Sequence, residues 1–125
     1  MLAQSKVHPT LSVTNLERAK KFYGDTLGLK SNGKIAEGHV VFETGEDSYL
    51  VVYERPDPPK AENTVASFTV EDVEKTAQWL KDQGVVFEEY DFPGLKTVDG
   101  IATIGDLKGC WFKDPDGNIL AISSA

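Results

Sequence analysis

His8 and His39 are the chain's two histidines, and each stands at the head of a strand-like stretch, HPTLSV and HVVFE. In the second, His39 and Glu43 fall on one face if the stretch is extended. Imidazole nitrogens and carboxylate oxygens hold divalent metals and move protons, so these side chains are the first to weigh for chemistry. Polar residues on a strand are equally the ordinary sight of a solvated face. Cys110 sits in the apolar context GCWF and reads as a small buried hydrophobe rather than a nucleophile. A single cysteine also excludes an internal disulfide and any multi-cysteine zinc cluster. The aromatic side chains offer another kind of chemistry, contact with a ligand. SYLVVYE puts Tyr49, Val51 and Tyr53 on one face and Leu50 and Val52 on the other, and neither face suits open water.

The elements that must position these residues occur twice. HPTLSVTNLERAKKFYGDTLGLK and VASFTVEDVEKTAQWLKDQGVVFEE share one plan. Each has alternating residues ending in Val13 or Val70, an N-cap candidate in Asn15 or Asp72, and an amphipathic helix stopped by Gly28 or Gly84. Leu16, Ala19, Phe22 and Tyr23 make one helical face, and Val73, Thr76, Ala77 and Leu80 another. Short strand-like stretches follow: Leu29–Ser31, His39–Glu43 and Ser48–Glu54, then Val85–Asp91, about Ile101–Phe112, and Ile119–Ser123. The Pro-rich RPDPPKAEN reads as a linker. The expectation is an α+β chain of two βαβββ modules, residues 1–55 and 64–125, joined through 56–63.

The opening strands split cleanly by face. Pro9, Leu11 and Val13 suit a covering helix, as do Ala66, Phe68 and Val70. His8, Thr10 and Ser12 fall on the opposite side of one strand, and Val65, Ser67 and Thr69 on that of the other. A sheet with helices on one face and small polar residues on the other can curve into a cup around a ligand, or simply face water. Near the C-terminus, KDPDGNILAIS predicts a hairpin with a type I turn and Gly117 in a left-handed bulge position. That register pairs Lys113 with Ile119, Phe112 with Leu120 and Trp111 with Ala121. Tyr90 to Asp106 is too long for a minimal turn and reads as a lid over the cup or as a segment that pairs with a second subunit.

Composition narrows the partners. At 40% hydrophobic residues the chain has apolar content enough to fold, while its formal charge of −7 and lack of any basic run argue against gripping nucleic acid. No apolar run reaches the length of a membrane span and MLAQSKVHPT has no signal core, so a reduced, cytoplasmic location is expected.

HPTLSVTNLERAKKFYGDTLGL resembles the opening of vicinal oxygen chelate proteins, which include glyoxalase I, bleomycin-resistance proteins and extradiol dioxygenases; WFKDPDGNILAI resembles their closing hairpin. The resemblance spans essentially the whole chain. It implies a cup-shaped mixed sheet with helices on the outer face. In the family's metal-dependent members, an ion in the cup is held by His, Gln or Glu from the opening and last strand of each module. Matched position by position, those ligands fall on His8, Val51, Val65 and Ala121, so one position of the four has a donor.

One imidazole among two valines and an alanine cannot hold a Lewis-acid ion with open positions, and the family's carboxylate base is missing as well. The resemblance therefore implies a metal-free cup with no cofactor. Tyr49, Val51 and Tyr53 would line it from the first module, and Val65, Trp111, Ile119 and Ala121 from the second. His8, Ser12, Ser67 and Thr69 would supply polar contacts, which gives the make-up of a small-molecule site. Three readings follow. The first is a homodimeric binding protein of bleomycin-resistance design, whose acidity would suit a cationic or aromatic ligand. The second is a glyoxalase-type lyase or isomerase, using a metal held elsewhere or His8, Tyr53, Lys96 or Asp91 as acid or base. The third is a dimeric scaffold whose aromatics merely fill the cup.

Overall fold

The structure is a computed structural model that describes residues 1–33 and 36–124. The chain divides into two compact units, Met1–Pro58 and Pro59–Ala125. In the first, β1 (Thr10–Val13) leads into α1 (Leu16–Lys20), followed by β2 (Lys30–Ser31), β3 (His39–Thr44) and β4 (Ser48–Glu54). The sheet order is β1-β4-β3-β2, with β1 and β4 parallel and the other neighbours antiparallel.

Local chemistry starts α1 where the sequence predicts it. The Asn15 side chain accepts the Arg18 N–H at 3.0 Å, and the Glu54 carboxylate, from the end of β4, accepts that of Leu16 at 2.8 Å. Leu16, Ala19 and Tyr23 are buried, and α1 packs against β4. Beyond Lys20 the helix widens into a π-type segment over Lys21–Thr26. The sheet's covered side carries Leu11, Val52 and Val40 in one cross-strand row and Leu50 and Phe42 in the next. All five are at most 4% exposed, and each such burial is worth roughly 1.5–3 kcal/mol.

The second unit begins the same way, with β5 (Thr64–Thr69) and then α2 (Val73–Asp82), where the Asp72 side chain accepts the Lys75 N–H at 3.0 Å. It then departs from the expected plan. β6 (Asp91–Phe92), β7 (Leu95–Val98), β8 (Ile101–Ile104), β9 (Leu107–Lys113) and β10 (Ile119–Ser123) follow, making a six-stranded sheet in the order β5-β10-β9-β8-β7-β6. Two strands are therefore added to the βαβββ plan. The stretch expected as one strand over 101–112 is broken by a turn at Gly105 and Asp106, and 85–91 holds only an isolated bridge from Phe87 to Phe112 before β6 begins.

The segment read as a lid or a subunit contact is a run of tight hairpins. Between β7 and β8, Asp99 and Gly100 both take positive φ, 54° and 82°, which is the two-residue turn that matches strand twist. The Asp-Gly signal for that turn is in the sequence. The covered side of the sheet carries Ala66, Leu120 and Phe112, with Cys110 and Ile122 beside them, and α2 packs on β9 and β10 through Val73, Ala77 and Leu80. The closing hairpin has the expected register, Lys113 to Ile119, Phe112 to Leu120 and Trp111 to Ala121.

Candidate functional site

The first unit's helix-free sheet face is built in cross-strand rows. Thr10 neighbours Val51, which faces Val41; one row along, Ser12 neighbours Tyr53, which faces His39. In the other direction Tyr49 faces Glu43, which faces Lys30. The two tyrosines of β4 each carry an imidazole. His8 stacks on Tyr49 with ring centroids 4.4 Å apart, and His39 on Tyr53 at 5.7 Å. Both histidines of the chain therefore lie on this one face, half-buried, with Val51 between the two tyrosines and only 4% exposed. Val51 is floor beneath the aromatic rings rather than open wall.

The imidazoles are held differently. His39 Nδ1 lies 3.3 Å from the Glu37 carbonyl oxygen, whereas His8 Nδ1 is buried with no hydrogen-bond partner among the described residues. Beside Tyr49, a recess of 340 Å³ is lined by Lys6, Asn32, Glu43, Asp47 and neighbours. A larger recess of 470 Å³ runs along α1 between charged side chains such as Glu17, Arg18 and Lys21, and none of the candidate residues lines it.

In the second unit, Ser67 neighbours Ala121, which faces Trp111. A bulge pairs Ile119 with Thr64 and Leu120 with Ala66, so Val65 is the extra residue. Thr69, Ser123 and Gly109 form the next row. The Trp111 indole lies over Gly109, where an added Cβ would come within 3.7 Å of it. Ala121 is 6% exposed, again a floor position.

Tyr90 meets Trp111 edge-on, with centroids 5.6 Å apart, and stacks on Phe92 at the same distance. Thr97 fixes it. The Tyr90 N–H donates to Thr97 Oγ1 at 2.8 Å, and the Tyr90 carbonyl accepts the Thr97 N–H at 2.9 Å. Burial raises the Tyr90 phenol above its ordinary pKa; the Glu88 carboxylate adds to this and Lys113 opposes it.

Tyr90 is the contributor absent from the sequence expectations, hidden because the stretch that fixes it read as a loop. His39 was noticed for sharing a face with Glu43, which it does, but its partner is Tyr53, a pairing that follows from folding HVVFE onto SYLVVYE across the TGED turn. Lys96 and Asp91 pair across β6 and β7, and both are exposed. The Cys110 thiol is fully buried and pushed up to about 11 by that burial, which removes thiolate chemistry at neutral pH.

Do these residues suit a divalent metal? His8 offers an imidazole whose Nδ1 is buried against Tyr49, and Val51 and Ala121 are covered hydrocarbon. Among the described residues, no group of three or more His, Cys, Asp or Glu side chains is placed to hold an ion. The donor set does not fit. Among the described residues, no helix is long and apolar enough to cross a membrane.

Two βα units, each with its opening strand parallel to its last, and a closing DPDG hairpin define the class of α+β protein. The sequence profile described as Glyoxalase/Bleomycin resistance protein/Dioxygenase superfamily matches residues 6–122, and the chain belongs to that superfamily. This is the vicinal oxygen chelate grouping that the two motifs resemble. Solved structures share the fold. A glyoxalase family protein from Enterococcus faecalis aligns over 99% of this chain and 100% of its own at 21% identity, with a TM-score of 0.71. The fosfomycin resistance protein FosX from Mesorhizobium loti aligns over 98% and 92% at 14% identity, TM-score 0.65. A glyoxalase/bleomycin resistance protein from Catenulispora acidiphila aligns over 96% and 97% at 20% identity, TM-score 0.67. Among curated proteins none matches by sequence.

Proposed function

We propose that this protein binds a small organic molecule on a helix-free sheet face, without a divalent metal, in the manner of a binding protein rather than a Lewis-acid enzyme. One observation carries this reading. Where a metal enzyme needs several nitrogen and oxygen donors, the first unit presents two tyrosines, each stacked with an imidazole, over a valine floor. Such a surface offers flat apolar area and a few polar atoms, which is what an aromatic or cationic ligand needs. In the second unit, Trp111 and Tyr90 above Ala121 offer a similar surface, flanked by Ser67. The chain's charge of −7 favours cations over anions at either place. We also propose a homodimer, which sedimentation would show as a species of twice 13.7 kDa.

The test is a screen of aromatic cations and neutral aromatics read by Trp111 fluorescence, in a Trp79→Phe background because Trp79 is 45% exposed and would mask the signal. Tyr53→Ala and Trp111→Ala, the latter read by calorimetry, distinguish the two faces. Saturable binding weakened tenfold or more by one of them supports the proposal. Failure of every compound to bind, in a dimer with no solvent-filled cavity, would leave the scaffold reading in its place.

A further inference from the structure

The two imidazoles of the first unit sit in opposite hydrogen-bonding situations, and the difference fixes what each can offer. A carbonyl oxygen only accepts, so the 3.3 Å approach of His39 Nδ1 to the Glu37 carbonyl requires the proton on Nδ1. In the neutral ring Nε2 is then a bare lone pair, and among the described residues nothing donates to it. His8 is the reverse case. Its Nδ1 is buried without a partner, and an unpaired buried N–H is rarer and costlier than an unpaired acceptor. The proton of neutral His8 therefore belongs on Nε2. Both rings stack on tyrosines of β4, His39 on Tyr53 and His8 on Tyr49.

We propose that His39 is the proton acceptor of this face, and that the ligand presents it with an N–H or O–H donor, as an amine or a phenol would. The inference deepens the proposed small-molecule site and rests on that reading. Its geometric basis is one row of the sheet. Ser12, Tyr53 and His39 lie side by side across β1, β4 and β3, next to the row of Thr10, Val51 and Val41, whose two valines are buried. A flat ligand against the half-buried Tyr53 ring would bring a polar substituent within reach of His39 in the same row. His39 is a specificity-determining residue in this account, and a base for any proton the ligand gives up.

Two measurements on the intact protein test it. For a neutral imidazole, long-range nitrogen–proton NMR correlations distinguish a protonated from a bare ring nitrogen. The prediction is Nδ1–H at His39 and Nε2–H at His8; Nε2–H at His39 overturns the proposal whatever the ligand. Titration with phenol and, separately, with anisole, the same ring without the donor, then reads the His39 Nε2 shift. Phenol should move it and anisole should not. Equal shifts from both overturn the donor requirement while leaving the binding site intact. Neither probe moving any imidazole or Trp111 signal overturns the inference and the binding reading together.

Discussion

Tyr90 shows how a single side chain reports on its surroundings. Burial disfavours its phenolate, Glu88 disfavours it further, and Lys113 is the weaker opposing influence. Its folded pKa therefore lies above the 10.0 of an unfolded tyrosine. The sign follows from linkage. The stability tied to the neutral phenol is intact below the unfolded value and is lost as pH rises through the folded one. Ultraviolet titration should lose a late-ionising phenol in Tyr90→Phe, and Glu88→Gln should bring that step earlier. A Tyr90→Phe protein that keeps the late step would place it on another residue. The same neighbourhood explains why Tyr90 eluded the sequence: its clamp, Thr97, is 7% exposed on a strand that the sequence reading did not resolve.

At the scale of elements, legibility followed local chemistry. Both helices start at the predicted caps because an Asn or Asp side chain and an apolar stripe need nothing distant to be recognised. The closing hairpin was legible down to its register because DPDG dictates turn type and turn type dictates pairing. The meander was not, although it too has turn signals, because its strands of two to four residues are too short to show alternation. The bulge at Val65 was equally illegible, since a bulge shifts register with no mark in composition. The Asp99–Gly100 turn yields a sharp prediction. A Cβ on Gly100 would meet Phe87 Cβ at 2.9 Å, at a φ of 82°. Gly100→Ala should cost more than about 2 kcal/mol, strain and clash together, whereas Gly94→Ala, at φ 86° but in open space, should cost about 1 kcal/mol. Urea denaturation compares them, and equal costs would mean that Phe87 yields easily.

For the whole molecule, the superfamily and the fold are plain from the chain, while the chemistry is not, because one architecture carries many reactions. The proposed metal-free reading rests on donors. Of the positions where the resemblance implies metal ligands, His8 has a donor, while Val51 and Ala121 are buried hydrocarbon; no group of three or more donors is placed to hold an ion among the described residues. The most direct test is calorimetric titration of the chelator-stripped protein with nickel, manganese, zinc and ferrous ions in turn, repeated on His8→Ala. Only weak heats are expected, the same in both proteins, as from scattered surface carboxylates. Stoichiometric binding that disappears in His8→Ala would contradict the metal-free reading and would put the protein among the metal-dependent enzymes of its superfamily.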